Sequence, residues 1–203
     1  MTAKINAKTI AAQKNREKIL KTTLQLLLKK GSTNAVSTSD ICNAAKITKP
    51  TLYYYFKSKY VLLSEIHSHL IDEEIVPILN KALQIEDTME RFSFIIRSYT
   101  KHIYEHPELR ILIHDSLIIK DKRFKVMRDE WKKVYYVLRD TITKLKLEKK
   151  IDKNIKHSQT ALFILGMITW ITYWLDFSRQ DEASEIEETA LKFILDGVKG
   201  IKN

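Results

Sequence analysis

Apolar residues recur at helical spacing along nearly the whole chain. Ile19, Leu20, Leu24, Leu27 and Leu28 share one side of a segment running from Ile10 to Lys30, with Lys and Gln opposite. Lys29 and Lys30 suit a helix C-terminus, and Gly31 supplies the stop. Ser37 is placed to cap a short second helix, Thr38 to about Ala45, with Asp40 completing a capping box and Ile41 and Ala45 turned inward. Lys46-Ile47 leaves room for only a tight turn. Thr48 then caps a third helix with Pro50 in its first turn, where a missing N–H does no harm. Leu62, Leu63, Ile66 and Leu70 set the inner face of a long helix from Ser58 to about Leu83, which Pro77 should bend. Further helices are predicted over 87–105, 107–119, 122–148, 157–179 and 184–198, the last capped by Ser184. The fold class expected is all-α, with about nine helices, no strands and no internal repeat.

Composition agrees with the periodicity. The 203 residues are 44% hydrophobic and 30% charged, which describes a folded chain, and only four Gly and three Pro are available for turns. Cys42 stands alone, so no internal disulfide can form, and it reads as a small buried hydrophobe. The N-terminus has no apolar core of signal-peptide length. The apolar stretch Ala161–Leu175 is 15 residues long, short of the roughly 20 that a membrane span requires. A cytoplasmic protein with no membrane partner is expected.

Net charge becomes informative once it is located. Residues 1–60 carry 12 Lys/Arg against only Glu17 and Asp40, so the whole excess of +10 lies there, and residues 61–203 are neutral. Such asymmetry points to a polyanion-binding module joined to a neutral one. The expected boundary falls at residue 57, with a polyanion-binding domain over 1–57 and a nearly neutral domain over 58–203. Within the basic part, helix, short turn and helix follow a longer helix. That is the order of a helix-turn-helix unit, whose second member enters the major groove.

The run from Ser37 through Ile47-Thr48-Lys49-Pro50-Thr51-Leu52-Tyr53-Tyr54-Tyr55-Phe56-Lys57-Ser58-Lys59 resembles the DNA-binding segment of the tetracycline-repressor (TetR) family. The match covers about 45 residues. Beyond residue 80 the resemblance is one of helix order, with short motifs such as His106-Pro107-Glu108-Leu109. The resemblance implies a homodimer on a pseudo-palindromic operator, usually repressing transcription and released by a small molecule in the C-terminal domain. Lys46 departs from the glycine common at that turn. It must accept positive φ or tighten the turn differently, at roughly 1 kcal/mol. Cys42 stands where Ala is frequent.

Helical spacing splits the aromatic run into two surfaces. Leu52 and Phe56 lie one turn apart and are expected to pack on Leu20, Leu24 and Ile41. Lys49 and Thr51 are assigned to base edges, with Pro50 offering an apolar contact beside Thr48. Tyr53, Tyr54, Thr38 and Lys59 are assigned to the DNA backbone, because a tyrosine covers sugar while its hydroxyl reaches phosphate. Tyr55 could belong to either surface.

The segment 157–179 is apolar nearly all round, so it must bury more than an ordinary core face. One stripe on it holds Ile164, Ile168, Ile171 and Leu175. The last helix presents Ile186, Ala190, Phe193, Ile194 and Gly197. These faces, with Gly166 allowing close approach, are the expected homodimer interface. A ligand pocket is expected among the middle helices, with Phe94, Tyr99, Met127 and Trp131 as candidate lining. Tyr135, Met167, Trp170 and Trp174 complete that set. Its aromatic and Met content suggests a small hydrophobic or aromatic effector, fatty acyl-like among the candidates.

Two rival readings accompany this one. The first is a DNA-binding regulator with no small-molecule effector, acting with a protein partner or globally. The second, more remote, is a zinc hydrolase, because His102-Ile103-Tyr104-Glu105-His106 matches H-x-x-E-H. Pro107 directly after it should end the helix, and no glycine-rich phosphate loop or nucleophile elbow accompanies it. No catalytic residue, metal or cofactor is therefore expected.

Overall fold

The structure is a computed structural model that describes residues 2–106, 111, 125–171, 173–174 and 183–200. The chain is all-α, and no strand occurs among the described residues. It divides into two compact units, Met1–His69 with Ile111–Met127 and Leu70–Arg110 with Arg128–Asn203. Of the predicted helix over 107–119 only Ile111 is among the described residues, and it is helical and buried.

In the first unit, α1 spans Thr2–Lys30 and so begins eight residues before the predicted start. Residues 2–9 contain no Gly or Pro and include Ala3, Lys4, Ala7 and Lys8, all good helix formers. The face of α1 that goes fully inward is Ile19, Thr23 and Leu27, while Leu20 and Leu24 are only half-buried. A threonine can take the central place because its Oγ1 donates to Ile19 O at 2.8 Å, which satisfies the hydroxyl. Helices α2 (Thr38–Ala45), α3 (Lys49–Tyr55) and α4 (Lys59–Leu70) close over this face. Ile41, Ala45, Leu52, Phe56, Leu62 and Leu63 make a fully buried core.

In the second unit the break expected at Pro77 takes a specific form. The chain makes a π-turn at Ile71–Ile75 and resumes as α5, Val76–Gln84, with Pro77 in its first turn. Proline has no N–H to offer the carbonyl four residues back, and a wider i→i−5 bond from Val76 N–H to Ile71 O absorbs the mismatch. Helix α6 (Thr88–Glu105) starts at Asp87, whose carboxylate accepts from Met89 N at 2.9 Å and Glu90 N at 2.8 Å.

Helices α7 (Lys125–Leu147), α8 (His157–Ile171) and α9 (Ala183–Lys199) follow. Helix α6 is central, burying Phe92, Ile95, Ile96, Tyr99 and Ile103. It packs most extensively on α9, and also on α5 and α8. The Arg97 guanidinium grips Glu188 of α9 with two bonds, of 2.6 and 3.0 Å.

Helix α8 corrects an expectation. The stripe of Ile164 and Ile168, assigned to the homodimer interface, faces inward instead. Ala161, Ile164 and Ile168 are buried in the protomer, and so are Ala190 and Ile194 of α9. They therefore cannot be the surface offered to a second copy. Of the residues assigned to that interface Phe193 (68% exposed) does lie outside, and so do Phe163 (77%) and Trp170 (59%), which were not assigned to it. Branched aliphatics of moderate size interlock with α6, while the bulkier aromatics are left at the surface. Among the described residues, no helix is long and apolar enough to cross a membrane.

Candidate nucleic-acid interface

The helix-turn-helix is held by local devices that the sequence spells out. Ser37 Oγ accepts from Asp40 N at 3.1 Å, and Asp40 Oδ2 accepts from Ser37 N at 2.7 Å, so the capping box is complete. Asp40 Oδ2 also meets Lys30 Nζ at 2.7 Å. Together with the Ser37 bonds, that ammonium holds the Asp40 carboxyl well below the usual carboxylate range. The turn after α2 places Lys46 at φ 55, ψ 50, the left-handed region. Ile47 N donates to Cys42 O at 3.0 Å and Lys46 N to Asn43 O at 3.3 Å, the paired bonds of a Schellman motif. Lys46 thus does what glycine usually does there. Thr48 caps α3, accepting from Thr51 N at 3.3 Å, and the two hydroxyls share a 2.9 Å hydrogen bond.

From this frame α3 presents Lys49, Pro50, Tyr53 and Tyr54 to solvent, with Tyr54 81% exposed. Leu52 and Phe56 are buried beneath them. Thr38 and Thr51 are half-buried at the edge. Tyr55 turns toward α1, where Asn15 Nδ2 donates to its hydroxyl at 3.5 Å, and its ring meets Tyr54 edge-on at 5.1 Å.

Lys59 is a correction to the assignment of a backbone contact. Its Nζ donates to Thr33 O at 2.7 Å and Val36 O at 2.8 Å, so it braces the α1–α2 connection from the start of α4. Sequence reasoning also passed over Arg16. Its guanidinium sits 5.3 Å over the Phe56 ring and pairs with Glu65 at 2.5 Å, linking α1, α3 and α4. Lys14, Lys18, Lys21, Lys46, Lys49 and Lys57 remain exposed on this unit.

The expected effector residues differ in burial among the described residues. Tyr99 is buried and its hydroxyl lies 3.3 Å from that of Thr169 on α8, with burial pushing its pKa up to about 12. Met167 is half-buried, and so is Phe94, with Lys81 Nζ 5.3 Å from the Phe94 ring. Trp131 and Tyr135 are half-buried one turn apart on α7, and Arg139 stacks over Tyr135 at 5.8 Å. Trp170 and Trp174 belong elsewhere. They form an exposed aromatic cluster with Tyr173, at ring separations of 5.0 and 6.4 Å from Trp170. The Met127 side chain and Leu175 lie outside the described residues. Ile171 and Ile186 are half-buried, and Gly166 and Gly197 are exposed.

The H-x-x-E-H reading is corrected as well. Glu105 is exposed and lies 3.8 Å from Lys101 on the surface of α6. The carboxylate near His102 and His106 is that of Glu74, from the π-turn.

Comparison with known proteins follows this division of the chain. Residues 19–66 match the model of bacterial regulatory proteins of the tetR family, and residues 86–198 match the tetracyclin repressor-like C-terminal domain. A Bacillus subtilis (strain 168) protein described as an uncharacterised HTH-type transcriptional regulator, YvdT, is 26% identical over 172 residues, 84% of this chain and 87% of the relative. Among solved structures, AibR in complex with isovaleryl coenzyme A and operator DNA superposes with TM-score 0.76 at 19% identity, covering 91% of this chain and 98% of AibR. FadR from Bacillus subtilis in complex with stearoyl-CoA superposes with TM-score 0.74 at 15% identity, covering 90% and 98%. With both family models matched in order along the chain and a helix-turn-helix built to hold them, the protein belongs to the tetR family and is a DNA-binding transcriptional regulator.

Proposed function

We propose that the protein is a cytoplasmic, ligand-responsive transcriptional repressor that binds a pseudo-palindromic operator as a homodimer, by binding chemistry alone and without catalysis. In this reading, residues 1–57 bind DNA and residues 58–203 bind the effector and dimerise. The observation that carries the DNA part is the solvent-facing edge of α3. Lys49 and Pro50 at its N-terminus are free to meet base edges, and Tyr53 and Tyr54 are free to meet sugar and phosphate. Thr51 contributes less than first assigned, since its hydroxyl is already engaged with Thr48.

The homodimer reading rests on the outward stripe of α8. Leu162, Gly166, Trp170 and Trp174 follow one another at i+4, with Phe163 beside them and Phe193 and Gly197 exposed on α9. A Cβ added to Gly166 or Gly197 would meet nothing within 4 Å in the protomer. A helical glycine costs about 1 kcal/mol relative to alanine, and nothing within 4 Å of these two positions among the described residues calls for it. Close approach of a second helix would. So large an exposed apolar stripe marks an interaction surface.

The effector class rests on likeness. AibR and FadR were solved with isovaleryl coenzyme A and stearoyl-CoA, and both share this fold. A small hydrophobic or fatty acyl-CoA effector follows for this chain.

The test is fluorescence anisotropy on operator DNA with acyl-CoAs from isovaleryl to stearoyl. Ligand-dependent release by one chain-length class is expected. If no acyl-CoA or free hydrophobic compound shifts the binding curve, the regulator without a small-molecule effector takes its place. Salt probes the DNA reading separately. Affinity should fall by roughly three to five decades between 50 and 200 mM salt, and a flat response would refute phosphate-driven binding.

A further inference from the structure

The two histidines at the end of α6 keep company that the pairwise motif did not predict. His102 is buried, and His106 is the residue that caps the helix. Although regular helix ends at Glu105, His106 N still donates to His102 O at 3.1 Å, so the i, i+4 relation survives the cap. The two rings lie 4.4 Å apart, tilted by only 34°. Across from them is Glu74, carried by the π-turn between the buried residues Ile71 and Ile75. His106 Nε2 and Glu74 Oε2 are 3.9 Å apart, and one ligand atom from each of the three residues lies within 4.8 Å of the other two.

We infer that Glu74, His102 and His106 form a binding site for a first-row divalent transition-metal ion, zinc foremost, with one position left for water or an exogenous donor. Two imidazoles and a carboxylate are the ligand set of three-protein-ligand zinc centres. Imidazole nitrogen favours zinc, copper and nickel over magnesium or calcium, which prefer oxygen. A tetrahedral zinc with bonds of about 2.0–2.1 Å would hold its ligand atoms about 3.3 Å apart. The cluster must therefore tighten by about 1.5 Å at its widest. Glu74 and His106 are both partly exposed side chains, with 42% and 26% of their surfaces open, so rotamer changes can supply that movement.

The π-turn is what makes the third ligand available. Its extra residue per turn alters the direction of the side chains it carries, and such turns are frequent at functional sites. Bound metal would then fasten the π-turn to the end of α6. Glu105, the carboxylate of the H-x-x-E-H spacing, turns to Lys101 at the surface, and the site is proposed as one for binding. It stands independently of the operator and effector readings.

Metal-free protein is titrated with zinc by calorimetry, and cobalt(II) is added separately to read the ligand-field spectrum. One ion per chain is expected, with cobalt bands of a four- or five-coordinate nitrogen–oxygen site. Glu74→Gln and His106→Ala should each weaken zinc binding by at least about 100-fold, whereas His157→Ala, an exposed histidine at the head of α8, should not. Zinc should also raise the unfolding temperature of the parent protein and leave that of Glu74→Gln unmoved. Circular dichroism checks that each variant folds, and either one decides the matter if the other does not. Absence of stoichiometric binding, or binding that survives in both variants, would overturn the proposal. The first result would leave a plain Glu74–His106 ion pair beside a stacked His102.

Discussion

At the scale of single residues, burial and partners decide what a side chain can do. Lys59 illustrates this. By position it belongs to a first turn facing phosphate, yet its ammonium is used on Thr33 and Val36 carbonyls. Lys59→Met should therefore lower the unfolding free energy by about 2 kcal/mol in urea titrations, since two charge-assisted bonds are lost and two carbonyls are left without their donor. The salt dependence of DNA binding should change little.

His67 is a second case. It is fully buried, and desolvation lowers its pKa from 6.5 to about 4. The folded form thus disfavours the proton that the unfolded form accepts. The neutral histidine leaves stability intact above pH 6.5, and stability declines as pH falls from 6.5 toward 4. The full cost is of the order of 3 kcal/mol. Denaturant midpoints measured across that window should show the decline, and His67→Gln should remove most of the histidine's share of it.

At the scale of elements, caps and turns were legible because their causes are local. Ser37 and Asp40, Thr48 and Gly31 all act within a few residues of themselves, and each of these ends falls where its cap requires. The turn of the helix-turn-helix was legible for the same reason. A Lys at φ 55 is strained relative to glycine, so Lys46→Gly should raise stability by roughly 1 kcal/mol in thermal or urea unfolding. A loss of stability would mean that Lys46 contributes a contact worth more than its backbone strain. The π-turn was not legible. Pro77 announces a disturbance, but whether a helix kinks, ends or widens depends on which arrangement keeps Ile71 and Ile75 buried.

At the scale of the whole molecule, the question is what the exposed aromatics are for. The outward stripe of α8 and Phe193 of α9 predict a dimer whose loss disables operator binding. Phe163→Glu combined with Phe193→Glu should convert the protein to a monomer in light scattering. Affinity for a full operator should fall by about 100-fold or more, because the second half-site no longer binds as part of the same particle. A dimer that persists in this variant would move the interface elsewhere.

Sequence alone determined what periodicity, capping and charge can carry: an all-α chain, a helix-turn-helix with Leu52 and Phe56 inside and Tyr53 and Tyr54 outside, and an entire charge excess confined to residues 1–60. Each of these depends on neighbours within a turn or two. Tertiary structure decided the rest. A helix apolar on all sides has no polar face to orient it, so only packing against α6 could turn Ile164 and Ile168 inward and Trp170 outward. Lys59 was claimed by carbonyls 23 and 26 residues away. Glu74, absent from any motif with His102 and His106, joined them because a π-turn and the end of α6 meet in space. Contacts between residues far apart in the chain leave no spacing to read, and they exist only once the helices have packed.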